Sequence, residues 1–302
     1  MATTLATPTA PSHARSTSLP STSHPLTLAV EEQVQRLRAS EALSSSCSSS
    51  PSSLCHNLNG LHDLFECVDN LLQLPLTQQA LSHPKWADEV LDGSLRLLDI
   101  CGTTRDVLSQ LKESLQQLES SLRRKRGGES GLATQVGAYM TFRKKINKTI
   151  HKCLADLKKM EKHTSSALFI SKDLDLVAIV NVLKEVEAIT VSVFQSVLSF
   201  VSGPKAQSKT SGWSLVSKLM QPKRIACERE EEDGCSEMEK LDGALYALIN
   251  CQKSCMGSGL QNAQNQLTEV EMNIQGLEDG LDCVFRRLIK TRVSLLNILN
   301  HH

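Results

Sequence analysis

The sequence predicts an all-α fold, an elongated antiparallel helical bundle of long helices behind a disordered N-terminal tail. Three observations predict it. Aromatic residues make up 3% of a 302-residue chain that is 40% hydrophobic, whereas sheet cores draw more heavily on Tyr, Phe and Trp. Apolar residues recur at intervals of three and four over long stretches, which is the period of one helix face. Proline and paired glycines fall between several of those stretches, where helices start and stop.

The pattern divides the chain into a tail at residues 1–26 and a helical bundle domain at 27–302. The tail contains no Asp or Glu and is crowded with Ser, Thr and Pro. Such a segment buries too little apolar area to offset its ordering entropy. The composition also suits an organellar transit peptide, although Arg15 is its one basic side chain and such peptides carry more arginine.

Val30, Val34 and Leu37 mark a short helix after Thr27. A serine-rich linker follows at 44–53. Ser50-Pro51 reads as N-cap and first residue of the next helix, whose face is Leu54, Leu58, Leu61, Phe65, Val68 and Leu72. Leu74-Pro75 ends it, because proline excludes α geometry at the residue before it. Pro84 opens a helix to about Arg126 with the stripe Leu91, Leu95, Leu98, Cys101, Thr104, Leu108, Leu111, Leu115, Leu118 and Leu122. Its two successive three-residue steps at 98-101-104 read as a stammer. Gly127-Gly128 stops it. The next helix spans about Leu132 to Lys162 on the row Leu132, Val136, Tyr139, Arg143, Ile146, Ile150, Cys153, Leu157 and Met160, with Arg143 the sole charge on that seam.

Residues 174 to 201 are apolar nearly all round, as befits a helix at the centre of a bundle. The uncharged stretch Ala188 to Pro204 is interrupted by Ser192, Gln195, Ser196, Ser199 and Ser202, so it reads as core before membrane span. Residues 203–235 read as a flexible charged loop, basic first (Lys205, Lys209, Lys218, Lys223, Arg224) and acidic later (Glu228, Glu230, Glu231, Glu232, Asp233). Its apolar island, Trp213, Leu215, Val216, Leu219 and Met220, either docks back on the bundle or serves a partner or membrane surface. Ser236-x-x-Glu239 is a capping box, and helical pattern then runs to the end, loosened at Gly257-Ser258-Gly259. The final seam is Leu260, Ala263, Leu267, Val270, Ile274, Leu277, Leu281, Val284, Leu288, Thr291, Leu295 and Ile298. Phe285, Ile289, Leu296 and Leu299 widen it, which favours a bundle over a two-stranded coiled coil. The helix therefore reads as the closing wall of an intramolecular bundle around the apolar helix, with Arg286, Arg287, Lys290 and Arg292 left outside.

Lys plus Arg and Asp plus Glu are both 33. That balance gives no global attraction to nucleic acid, and no nucleic-acid partner is expected. Ten cysteines scattered through a chain without a secretory signal read as reduced, mostly buried thiols of an intracellular, cytoplasmic protein. Cys251 and Cys255 lie one turn apart but lack a second ligand pair, so neither metal nor cofactor is expected. Phosphate-cradling glycine loops, a Gly-x-Ser-x-Gly elbow and His-Glu-x-x-His are all absent, which points away from an enzyme. Two features point to interactions instead. Arg15-Ser-Thr-Ser18-Leu-Pro20 has the form Arg-Ser-x-Ser-x-Pro. A phosphate on Ser18 would add roughly two negative charges for the arginine cluster of a 14-3-3-type protein. Arg123, Arg124, Lys125 and Arg126 end one helix, and Arg143, Lys144, Lys145 and Lys148 lie on the next. A hairpin that gathered them at one end would offer a basic tip to an anionic membrane surface, serve as a nuclear import signal, or simply be a solvated helix end.

Several strings carry a family resemblance: Leu72-Gln-Leu-Pro-Leu-Thr-Gln-Gln-Ala-Leu81, Leu91-Asp-Gly-Ser-Leu-Arg-Leu-Leu-Asp-Ile-Cys-Gly102, Ser121-Leu-Arg-Arg-Lys-Arg-Gly-Gly128, Tyr139-Met-Thr-Phe-Arg-Lys-Lys145 and the run from Cys283 to Asn300. With Arg15 to Ser21 and His24-Pro25, these resemble the Bypass-related family of land-plant proteins. The resemblance implies a part in root and shoot development and no enzyme activity or ligand. Thr22 stands where relatives often have a basic residue. The expectation is a non-enzymatic regulatory or interaction protein of plant organ development, working through bundle surfaces and a phosphorylatable tail. The alternative is a peripheral membrane trafficking or signalling factor that uses basic helix ends, anchored by the Trp213 island or the apolar helix.

Overall fold

The structure is a computed structural model that describes residues 24–46, 50–124, 130–164, 174–203, 236–250 and 256–300. Among these residues the chain is all-α, with eight helices and no strand. They are α1 (Pro25–Ser46), α2 (Pro51–Leu72), α3 (Pro75–Leu81), α4 (Pro84–Arg124), α5 (Ser130–Thr164), α6 (Leu174–Ser202), α7 (Glu237–Asn250) and α8 (Met256–Asn300).

The local signals explain the ends. Ser50 caps α2 by accepting from the Ser53 backbone N–H at 3.2 Å, with Pro51 beside it. Ser236 Oγ accepts from the Glu239 N–H at 3.3 Å and opens α7. Gly203 ends α6 at φ 76°, the left-handed geometry that glycine adopts without steric cost. Helix α1 starts at Pro25 and runs to Ser46, so it takes up the last residues given to the tail and much of the serine linker, leaving 47–49 between α1 and the α2 cap. The seven-residue α3 lies in a stretch read as a break. The loosening expected at Gly257-Ser258-Gly259 is not found there, because those residues belong to α8.

Four helices make the core. Helix α8 packs on α2 and α4, and α6 packs on the same pair. Helices α6 and α8 are thus diagonal partners in this bundle, with α2 and α4 between them. Around this core, α1 lies on α2 and α6, α5 on α4 and α6, and α7 on α8 and α5. Every residue of the α8 seam from Ala263 to Ile298 is buried. In α4 the buried row is Leu97, Cys101, Thr104, Leu108, Leu111, Leu115, Leu118 and Leu122, while Leu95 stays 45% exposed. With Leu97 in place of Leu98 the three-four alternation has no fault, and the stammer disappears.

Helix α6 is held by six neighbours, α1 to α5 and α7. Two of its serines meet a half-buried acid: Ser192 and Ser196 donate to Glu41 Oε2 at 3.1 and 2.7 Å, and Asn57 donates to Glu41 Oε1 at 2.7 Å. Ser192 and Ser196 thus belong to one network joining α1, α2 and α6, and α6 is packed on several sides within the bundle. No helix among the described residues is long and apolar enough to cross a membrane.

Candidate interaction surfaces

Two of the four basic residues singled out on α8 turn inward. Arg287 Nε donates to His62 Nε2 at 3.1 Å, and its guanidinium lies 3.5 Å from Glu66 and 3.8 Å from Asp69. Thr291 donates to Asp69 Oδ1 at 2.7 Å. Asp69 Oδ2 accepts no well-aligned hydrogen bond but has the Lys290 ammonium 3.1 Å away. Arg292 donates to the Leu91 carbonyl at 2.8 Å and to Ser94 Oγ at 2.7 Å. These contacts stitch α8 to α2 on one flank and to α4 on the other. Arg105 with Asp282 (2.6 Å) and Lys112 with Glu278 (2.7 Å) continue the α4 flank and show the two helices running antiparallel. Of the four residues expected outside, Arg286 and Lys290 are exposed, while Arg287 and Arg292 are half-buried. Arg287 and Arg292 leave the basic surface because their donors are committed to neighbouring helices.

Arg143 leaves it as well. It is 5% exposed and donates to the Val201 carbonyl at 2.7 Å, near the end of α6. Asn147, one turn on, donates to the Ser202 carbonyl at 3.2 Å. Helix ends leave carbonyls without intrahelical partners, and these two α5 side chains satisfy two of them. Asp242 of α7 sits 3.6 Å from the same guanidinium. Burial is the main reason that Asp242 is raised above the ordinary carboxylate range, against the opposing pull of Arg143. Burial likewise drives the neighbouring Tyr139 phenol well above its ordinary range. A charge on an apolar seam was the sequence signal for this cluster. Its partners, 58 and 99 residues further along, were not legible.

Among the described residues the two basic clusters are not gathered at one end. Tyr139 and Phe142 share a groove with Gln110 to Leu118. Lys144 and Lys145 therefore sit some four helical turns from Arg123 and Arg124, about 20 Å along α4. Arg123 pairs with Glu119 at 2.6 Å, and Arg124 is exposed. Lys144, Lys145 and Lys148 are exposed on α5. Ser18, Arg15, Pro20, Lys125, Arg126, the Trp213 island, Cys251 and Cys255 lie outside the described residues.

Two further arrangements bear on chemistry. His62, Asp63 and Glu66 bring ligand atoms within 4.8 Å of one another on α2. The 62–66 spacing of one turn could have flagged them. The Arg287 guanidinium already sits on His62 and Glu66, so its positive charge occupies the place a cation would take. A cavity of about 50 Å³ lies between α2, α4, α6 and α8, lined by Val68, Leu97, Val186 and Leu295 among others. Lys184 with Glu89 (2.8 Å) and Arg96 with Glu187 (2.7 Å) stand at its margin. Small-molecule sites run to roughly 300–1,000 Å³, so this is a packing void rather than a pocket for a substrate.

One apolar row faces outward. Ile289, Val293 and Leu296, at i, i+4 and i+7 on α8, are 44%, 49% and 39% exposed. The widened stripe thus splits, with Phe285 and Leu299 against the core and Ile289 and Leu296 on the surface. The family model described as Protein BPS1 matches residues 57–298, which runs from within α2 to near the end of α8. No curated protein and no solved structure matches the chain.

Proposed function

The chain belongs to the Protein BPS1 family, and from that membership we propose that it is a non-enzymatic, cytoplasmic regulator of plant root and shoot organ development that acts by binding other proteins. The observation that supports this reading is the outward row Ile289, Val293 and Leu296 on a helix otherwise clamped on both flanks. Exposed apolar positions at helical spacing are what a partner helix or groove takes hold of. Arg286 and Lys290, exposed beside the row, favour partners with acidic residues around an apolar centre. The tail supplies the regulation: phosphate on Ser18 docks a 14-3-3-type protein.

Affinity purification from plant tissue tests both parts. Wild-type protein is compared with Val293→Glu and with Ser18→Ala. The expected result is loss of one set of partners with Val293→Glu and loss of a 14-3-3-type protein with Ser18→Ala. An unchanged partner list in both variants overturns the reading.

A further inference from the structure

Elsewhere on this protein, charges pair between helices: Arg38 with Glu185, Arg96 with Glu187, Arg105 with Asp282, Lys112 with Glu278 and Lys184 with Glu89. Apart from buried Arg143, which faces Asp242, the basic residues of helix α5 depart from that pattern. Lys144, Lys145, Lys148, Lys152 and Lys158 are exposed, and none has an ion pair or hydrogen bond among the described residues. Over the same stretch the one acid on the helix is Asp156, which pairs with Lys159 at 3.2 Å. Helix α5 touches α4, α6 and α7, and its buried row from Leu132 to Leu157 faces them, so the lysines point away from the bundle. They form a strip about 20 Å long.

The character of the strip selects its partner. Among the described residues none of the exposed large hydrophobics lies on α5, so the lysine strip there offers no apolar anchor of the kind that dominates protein–protein interfaces. It also carries no arginine fork for bidentate recognition of one fixed anion. Lysines are point charges on flexible stems, and they suit a fluid, extended surface of phosphate groups. We propose that the outward face of α5 is a lipid-binding surface that holds the protein against a bilayer of anionic phospholipids. The inference is independent of the protein-binding reading above, because it uses a different helix and none of the residues Ile289, Val293 and Leu296. The full chain is the material to test, because it also carries the acidic run Glu228 to Asp233.

The test is co-sedimentation of full-length protein with vesicles of phosphatidylcholine alone and of phosphatidylcholine mixed with phosphatidylserine, at low salt and at about 0.5 M salt. A triple variant, Lys144→Glu, Lys148→Glu and Lys152→Glu, is run beside a milder one with Gln at the same positions. Circular dichroism checks that both keep their helix content. The expected result is binding to the anionic vesicles alone, released by salt and weakened about tenfold or more in both variants. No binding, equal binding to neutral vesicles, or undiminished binding by folded variants overturns the proposal. Comparable binding to duplex DNA, lost in the same variants, also overturns it, since the strip would then be a general polyanion binder.

Discussion

The Arg143 guanidinium donates to the Val201 carbonyl at 2.7 Å, tying the middle of α5 to the last turn of α6. Removing that side chain leaves a buried carbonyl without a partner and Asp242 without its nearest cation. Arg143→Met is expected to cost about 2–3 kcal/mol of stability in urea denaturation. Arg143→Lys should recover less than half, because one ammonium cannot reach the carbonyl and Asp242 in the same planar geometry.

Asp242 carries a pH signature. Its carboxyl is held above its ordinary range in the folded protein, so the folded state binds this proton more tightly than the unfolded chain, where the group titrates near about 4. Stability from this group is therefore lost as pH rises from the unfolded value through the folded one. Denaturation of wild type and Asp242→Asn, stepped upward from about pH 4, is expected to show the wild type losing ground to the variant. A constant gap across the series contradicts it.

Two glycines should respond oppositely to alanine. A Cβ on Gly280 would lie 3.1 Å from Leu58 Cβ and 3.0 Å from Leu58 Cδ1, between the tightly packed α2 and α8. Gly280→Ala is expected to destabilise by about 1–3 kcal/mol. Gly102, inside α4, has nothing within 4 Å of such a Cβ, so Gly102→Ala is expected to stabilise by about 0.5–1 kcal/mol. Thermal unfolding of the two variants reads both signs.

The cysteines should separate by reactivity. Cys101 is fully buried, its Sγ donates to the Leu281 carbonyl at 3.9 Å, and burial pushes its thiol up to about 12. Cys283 is exposed. Maleimide labelling mapped by mass spectrometry is expected to modify Cys283 quickly and Cys101 only after denaturation, since the thiolate is the reactive species. Rapid labelling of Cys101 in folded protein would contradict its placement.

The rows on α2, α5 and α8 were legible because each offers one apolar residue per turn and hence one possible face. Helix α4 was harder. Leu91, Leu95, Leu97 and Leu98 permit two adjacent rows, and periodicity alone does not choose between them. Gly93 decides: a Cβ there would lie 2.5 Å from Glu187 Oε2, so this face of α4 must turn to α6, and Leu97 follows it inward. Arg287 and Arg292 were misplaced for a related reason. Composition marks a charge as surface-seeking, but their partners His62, Asp69, Leu91 and Ser94 lie about two hundred residues away and become neighbours only when α8 is laid between α2 and α4. Lys144, Lys145 and Lys148 of α5 were visible as a cluster, whereas the addition of Lys152 and Lys158 and their separation from Arg143 required the fold.

The meeting of α6 and α7 has a consequence for how much sequence this bundle can carry. A Cβ on Gly203 would lie 4.0 Å from Glu239 Cγ, so the end of α6 and the start of α7 stand close together. Residues 204–235 of the sequence connect two helix ends that already touch. Doubling such a connection costs only about 0.6 kcal/mol in closure entropy. This junction is thus where a fluorescent reporter or an added recognition module can be spliced in while the helices on either side keep their places.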